Sequence, residues 1–365
     1  MKVLSSLLTI GSLGVIAPAT FAADLDTGTS DSKAAAAVTM PGQSSPWRFG
    51  ADYAPFLGLK TNFNGLGRFR SPFAPQPLGG GRNYDYDNGF VYVDSSGNLG
   101  GQTWNWGYAN NSQYNPAGTG SINYTLTNSL ANGHAEEDGG GKAGFELTGY
   151  RDMGPVNWAA VGGRQATWGL RGGLQYAHVG VSNHDLLASG ITTTTDSFDL
   201  GGTLPPGAPY TGSFGGPGPL LGDSPTRTVT TGPGALISGS RDMDTDLFIA
   251  NFGPYLEIPV TDHFDLMLEG GVSFAVASGK YDFFSSTTIA GAGTQQSTGS
   301  ASDTKVLPGL YLGLSGVYKI NDQWSLQASG RYQYMKQFDL GANGSQASLS
   351  FDSAFVVSVG VLYSF

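Results

Sequence analysis

The chain has 365 residues, of which 57 are Gly and 12% are aromatic, while only 13% are charged, about half the usual share of a soluble protein. It contains no Cys, which excludes a disulfide framework and a thiolate metal site. The net charge of -10 argues against nucleic acid, whose phosphates demand a basic face.

The N-terminus reads as a cleavable secretory signal over residues 1–22. Lys2 supplies a short positive region, Val3 to Ala17 is apolar and small, and Thr20-Phe21-Ala22 places small residues at the cleavage subsites. No later stretch has the roughly 20 apolar residues a spanning helix needs. Residues 23–46, rich in Ser, Thr, Ala and Asp, read as a flexible periplasmic leader.

From Trp47 onward, apolar and polar residues alternate in eight long segments. Period-two alternation puts the two sets on opposite faces of a strand. Trp47–Ala54 presents Trp47, Phe49, Ala51 and Tyr53 on one face, and Gly144–Arg151 presents Phe145 and Leu147. Trp168–Val181 presents Trp168, Leu170, Leu174 and Tyr176, and Asp246–Pro259 presents Phe248, Phe252, Leu256 and Ile258. Phe264–Phe283 and Val306–Ile320 continue the pattern. The segment from Trp324 aligns Leu326, Ala328, Tyr332, Tyr334 and Phe338, and the last aligns Leu349, Phe351, Phe355, Val357, Val359, Val361, Tyr363 and Phe365.

The connections alternate in length. Met153-Gly154-Pro155, residues 259–262 and residues 321–323 read as tight turns. Between them lie long polar links at about 55–141, 182–241 and 284–304, and a shorter one at 341–347. Short turns on one side and long loops on the other is the outer-membrane pattern. Within the first loop, Gly89–Val93 and Gln102–Trp106 flank a Gly-rich turn and predict a hairpin. Residues 192–236 are expected to form an exposed loop holding at most one hairpin.

The apolar residues at every second position before a terminal Phe365, with Tyr363 two back, complete a resemblance to the bacterial outer-membrane β-barrel superfamily, closest to small OmpA-like transmembrane domains. It covers the signal region and roughly 47–59 and 142–365, and it fails over 60–141. It implies that Val359, Val361, Tyr363 and Phe365 form an assembly signal read by the barrel-assembly machinery. No peptidoglycan-binding domain follows the strands, so a wall-anchoring role is not implied. The expected fold over 47–365 is all-β: an antiparallel up-and-down transmembrane β-barrel of eight strands, or ten to twelve if the alternating segments of the first loop join the wall.

The opposite parity places Arg48, Asp52, Glu146, Arg171, Glu257, Asp265, Glu269, Lys319 and Arg331 inside. The interior of an eight-strand barrel is just filled by side chains. Four bases against five acids can pair, as buried charges must. Inner-face glycines such as Gly169, Gly173, Gly271, Gly313 and Gly360 leave room for long partners opposite. Trp47, Trp168, Tyr318 and Trp324 fit an aromatic girdle at headgroup depth.

Catalysis and metal binding have little support. The four histidines are His134, His178, His184 and His263, and no Gly-x-Ser-x-Gly elbow is present. His184 and Asp185 are adjacent on a strand, so they point to opposite faces. Asn83, Asp85, Asp87 and Asp94 only partly fit a calcium-loop spacing, and Asp242, Asp244 and Asp246 alternate along one strand face. Both groups are expected to be solvated acids. No cofactor and no enzyme activity are expected. The expected role is structural or surface-interacting, in the outer membrane, with the interior filled by a salt-bridged network. The expected partners are outer-membrane lipid, lipopolysaccharide and an extracellular ligand of unknown identity. The alternative is a porin for small solutes, which a wider barrel would allow.

Overall fold

The computed structural model describes residues 47–94, 96–161, 164–216 and 218–365. The predicted signal and leader lie outside the described residues. The described chain is all-β apart from one 3-10 turn at Asn111–Gln113.

Eight strands carry the main sheet. They are β1 (Trp47–Tyr53), β2 (Gly144–Val161), β3 (Arg164–Asn183), β4 (Thr226–Pro259), β5 (Phe264–Ile289), β6 (Gly293–Lys319), β7 (Trp324–Met335) and β8 (Phe355–Ser364). Pairing is antiparallel and follows β3, β2, β1, β8, β7, β6, β5 and β4. β4 then pairs with β3, so the pairings run in a ring. A ring leaves no strand edge at the level of the eight-way pairing, so backbone donors and acceptors there are met within the sheet.

Several connections differ from expectation. Met153-Gly154-Pro155 is not a turn. β2 runs on to Val161, and a register shift between Asp152 and Gly154 absorbs the Gly-Pro pair. Gly154 takes a φ of +129°, which a side chain would strain, and such a bulge re-aims a strand without ending it. The link predicted at 284–304 is strand: β5 and β6 stay paired up to Ile289 and Gly293, leaving a turn at 290–292. The link predicted at 182–241 also contains strand. β4 begins at Thr226, and above its pairing with β3 it pairs with Leu187–Asp199. These stretches are built from Thr, Ser and Gly, so no apolar alternation marks them.

Ser121–Ser129 pairs with Leu187–Asp199, outside the ring. It extends the sheet upward and does not add a wall strand. The predicted hairpin is only partly met: Gly89–Val91 pairs with Trp106–Tyr108, at and beyond the end of the expected second limb, and Gln102–Thr103 pairs instead with Leu221–Gly222.

Two expected outward residues of the last segment, Leu349 and Phe351, are buried, and so is Phe338 of the one before. The reason is a loss of phase. β7 ends at Met335 and a new strand, Phe338–Ala342, starts after two irregular residues; residues 351–354 likewise separate Ser345–Ser350 from β8. Each interruption resets which parity faces inward.

These short strands form a four-stranded sheet in the order Gly133–Asp138, Lys60–Leu66, Ser345–Ser350, Phe338–Ala342. Its apolar residues, with Phe56 and Val356, form one cluster with Ala177, Val179, Leu247, Ile249, Ala275, Ala277 and Leu307 from the inner faces of β3 to β6. Each fully buried Phe here, Phe56, Phe63 and Phe338 among them, contributes about 1.5–3 kcal/mol by burial.

Candidate functional site

The inner face nearest Trp47 and Phe365 is charged. Arg48 on β1 bonds through Nη2 to Asp152 at 3.1 Å and to the Tyr255 hydroxyl at 3.2 Å, and pairs closely with Glu257. One level higher, Glu146 accepts from Arg171 Nη2 at 2.8 Å and from Arg331 Nη1 at 3.0 and 3.1 Å. Arg171 Nε lies 3.0 Å from Glu269. Arg331 also donates to Gln175 at 2.9 Å, and Gln175 donates to the Ala54 carbonyl at 3.1 Å. Lys319, half-exposed at the strand end, reaches Asp265 at 2.6 Å. Glu146, Arg171, Glu269 and Arg331 are all within 2% of full burial. Breaking one such pair strands the other charge in a low-dielectric site, at a cost of about 3–5 kcal/mol.

All nine residues predicted to lie inside are therefore on the inner face, and eight of them are buried. Asp52 stands apart: it is buried, and neither carboxylate oxygen has a hydrogen-bond partner among the described residues. It faces Gly360, where an added Cβ would come within 2.3 Å of Asp52 Oδ1. Gly173 and Gly313 make the same room for Glu146 and Glu269. Gly271 differs, since it lets the β4 backbone approach at Phe252 and Gly253.

The aromatic and amide members were not singled out from sequence. Tyr150 accepts from Gln327 at 2.9 Å and takes the Arg171 Nε–H at 3.3 Å. The guanidinium groups of Arg171 and Arg331 sit 5.7 Å from the Tyr311 ring centre, a cation–π distance. These residues share the parity of the charges, the signal by which the sequence could have identified them.

This network fills only one end of the ring. Above it, a polar step of Asn251, Ser273 and Gln333 gives way to the apolar cluster. The expectation of an interior filled throughout by salt bridges is thus corrected. Loop segments enter the upper half, and they bring Phe and Leu.

The outer face of the ring is apolar. Trp47, Phe49, Phe145, Leu147, Trp168, Leu174, Phe248, Phe252, Phe274, Leu310, Leu312, Leu326 and Val359 are each at least 42% exposed. The predicted girdle residues Trp47, Trp168, Tyr318 and Trp324 lie on this face near the turn end. Val359, Val361, Tyr363 and Phe365 lie along it on and just beyond β8. Phe365 packs edge-on against Tyr363 and Phe49, with ring centres 4.9 and 5.8 Å apart, and Tyr363 meets Trp324 at 4.9 Å.

At the opposite end the long connections fold into a head with its own core. Tyr84, Tyr86, Val91, Trp106, Tyr108, Ile122, Tyr124, Leu126, Phe198, Leu200 and Leu221 form a buried cluster. Asp196, fully buried, takes a fork from Arg227 at 2.7 and 2.6 Å and the Tyr86 hydroxyl at 2.7 Å. Burial, then the Asp196 bond, pushes the Tyr86 phenol far above the ordinary tyrosine range. Trp106 Nε1 donates to the Pro219 carbonyl at 2.7 Å and ties the first long connection to the second.

The calcium-like residues do not converge. Asp85 accepts from Tyr92, Asp87 from Ser71 and the Thr127 amide, Asp94 from Ser96, and Asn83 from the Val93 amide. Among the described residues no three metal-binding side chains gather. Asp242, Asp244 and Asp246 face outward on β4, and Asp246 lies 3.0 Å from His178 Nδ1. His134 meets Asn64 at 2.7 Å, His263 neighbours the Tyr318 ring, and His184 is exposed.

Among solved structures, the chain is similar to Ail, the attachment invasion locus protein of Yersinia pestis, at 8% identity over 87% of this chain and 99% of that one, with a TM-score of 0.26. It is also similar to the outer membrane protease OmpT from Escherichia coli, at 9% identity over 90% and 100% of the two chains, with a TM-score of 0.31. A third likeness is to a Pseudomonas aeruginosa FadL homologue, at 11% identity over 87% and 89%, with a TM-score of 0.17. No family model and no curated protein matches the chain. TM-scores this low mark a distant likeness, and the ground for function is this chain's own geometry.

Proposed function

We propose that the chain is an integral outer-membrane β-barrel whose sealed interior supports a folded head exposed outside the cell, and that its role is surface interaction. The observation that carries this is the outward apolar belt around the ring of paired strands. Soluble proteins rarely expose a contiguous apolar patch of more than a few hundred Å². In lipid the same surface is the stable one, and a closed ring is one of only two backbone solutions to the absence of water. The belt runs from Trp168 to Tyr176 on β3 and from Trp324 to Tyr334 on β7. That length suits the roughly 9–11 residues of a tilted spanning strand.

The filled interior favours this reading over a porin. Charges pair at one end, an apolar sheet occupies the other, and an eight-strand ring leaves no water-filled lumen. Partners on this reading are lipid along the belt, lipopolysaccharide near the outward acids of β4, and the assembly machinery at the β8 end. No catalytic role is assigned.

The absence of Cys makes topology directly testable. Leu204→Cys in the head and Asp322→Cys in the β6–β7 turn are expressed separately in a Gram-negative host and treated with a membrane-impermeant maleimide. The head variant is expected to label in intact cells and the turn variant only after permeabilisation. Labelling of the turn in intact cells, with a protected head, overturns the orientation. Recovery of both variants in the soluble fraction overturns the membrane reading.

A further inference from the structure

The head contains a cleft of about 800 Å³, within the range of small-molecule sites. Three pieces of chain meet around it. Gln102 and Trp104 lie on one side, Asp199 to Leu204 on a second, and Gly218 to Gly222 on the third. The walls are held in place. Gln102–Thr103 pairs with Leu221–Gly222, the Thr103 hydroxyl donates to the Tyr92 carbonyl at 2.5 Å, and Thr103 Oγ1 accepts the Asn105 amide at 3.0 Å. Beneath them Leu200 and Leu221 are buried in the aromatic core.

The groups offered to the cleft are chemically mixed. Trp104 is half-buried, and its indole packs beside Gly216, where an added Cβ would lie 3.3 Å from the ring. Gln102 and Thr203 are exposed, and neither side chain is engaged in a hydrogen bond to the described residues. Gly201 and Gly222 would meet nothing within 4 Å if given a Cβ, so bare backbone is open there. Among the described residues, Asp199 is the one ionisable group lining the cleft. Its Oδ1 accepts the Gly201 amide and the Thr119 hydroxyl, both at 2.7 Å, which aims the carboxylate and leaves Oδ2 open. These two bonds, the amide's first, hold the Asp199 carboxyl below its usual range, so it is ionised at neutral pH.

We infer that this cleft is a saccharide-binding site, taking a neutral or amine-bearing pyranose chain. An indole flank stacks on the apolar C–H face of a pyranose, while a carboxylate, an amide and a hydroxyl take its hydroxyl groups. A lone carboxylate, with no cation lining the cleft among the described residues, disfavours phosphorylated or sulfated ligands there. The inference rests on the reading that the head faces outward, where glycans are the abundant chemistry.

The test uses the full-length protein in detergent, with chitohexaose, maltohexaose and a neutral O-antigen oligosaccharide freed of core and lipid A as probes, read by calorimetry and Trp fluorescence. At least one probe is expected to bind in the millimolar range or tighter. Trp104→Ala is expected to weaken it by about tenfold or more. Trp104→Phe, which keeps a ring, is expected to retain most of the affinity, and Asp199→Asn to lose part of it. Binding of the free hexasaccharides points to a ligand from the surroundings, and binding of the neutral O-antigen oligosaccharide alone points to the cell's own glycolipid. Both outcomes support the site. Absence of binding by all three probes, with the head melting as in the parent, overturns it. So does binding that Trp104→Ala leaves unchanged. Either failure is separate from the labelling result, which concerns orientation alone.

Discussion

The two halves of the ring interior obey one rule and arrive at opposite chemistry. Near Trp47 and Phe365, the wall's own inward side chains meet each other across a narrow space, and they are Arg, Glu, Asp, Tyr and Gln. Further up, the wall contributes Ala177, Ala275, Ala277, Leu247 and Ile249, and loop segments supply Phe56, Phe63, Phe338 and Leu349. The wall alone can close the lower half because long charged side chains reach across it. It cannot fill the upper half with alanines, so four short strands enter and bring apolar volume. An interior of this kind is filled twice, by unlike means.

The comparison can be broken at either level. The largest effect is expected at Glu146, which holds both Arg171 and Arg331. Glu146→Ala leaves buried Arg331 without a carboxylate and Arg171 with Glu269 alone, and should cost about 3–5 kcal/mol in urea unfolding of the refolded protein. A cost no larger than that of a surface substitution would mean the lower layer is hydrated and not a packed network. Next is Leu349→Ala in the upper layer, expected to cost about 2–5 kcal/mol through the cavity it leaves. Hydrogen exchange should locate that loss in residues 60–66 and 345–350, with the β1 and β2 amides still protected. Equal loss of protection at both ends would show that the halves unfold as one unit.

Parity explains what was legible in the sequence. Within an unbroken strand, one known outward residue fixes every other, so the lower layer from Arg48 to Arg331 and the outer girdle could be read directly. That logic fails where a strand stops and restarts. Phe338 and Leu349 continue the written alternation and yet turn inward, because 336–337 and 351–354 interrupt the ladder. The head was hidden for another reason. Its strands at Leu187–Asp199 and Thr226–Ala235 are Thr- and Gly-rich, and pairing with each other, rather than a buried apolar face, holds much of them straight. The buried fork of Asp196 and Arg227 joins residues 31 apart, a separation that carries no local pattern.

Smaller effects sharpen the contrast between head and ring. Tyr86→Phe removes one hydrogen bond to a buried carboxylate and should cost about 1.5–3 kcal/mol in the head alone. Limited proteolysis of the loops should quicken while the ring remains intact; a change in the ring's own melting would contradict the separation. Alkaline pH should act in the same place. The Tyr86 and Tyr124 phenols are raised by burial. Their neutral forms favour the folded head fully below the unfolded tyrosine value, about 10, and that contribution is lost as pH rises above it. Tyrosine absorbance and head proteolysis should therefore change together above about pH 10. Ionisation of Tyr86 near the ordinary value, read from the absorbance difference between the parent and Tyr86→Phe, without loosening of the head, would contradict it.

The central claim is that both halves of the interior are sealed. Conductance of the refolded protein in a planar lipid bilayer tests it most directly. Insertion without stable, large conductance steps is expected, for the parent protein and for Leu349→Ala alike. Large and reproducible steps from the parent protein would contradict it.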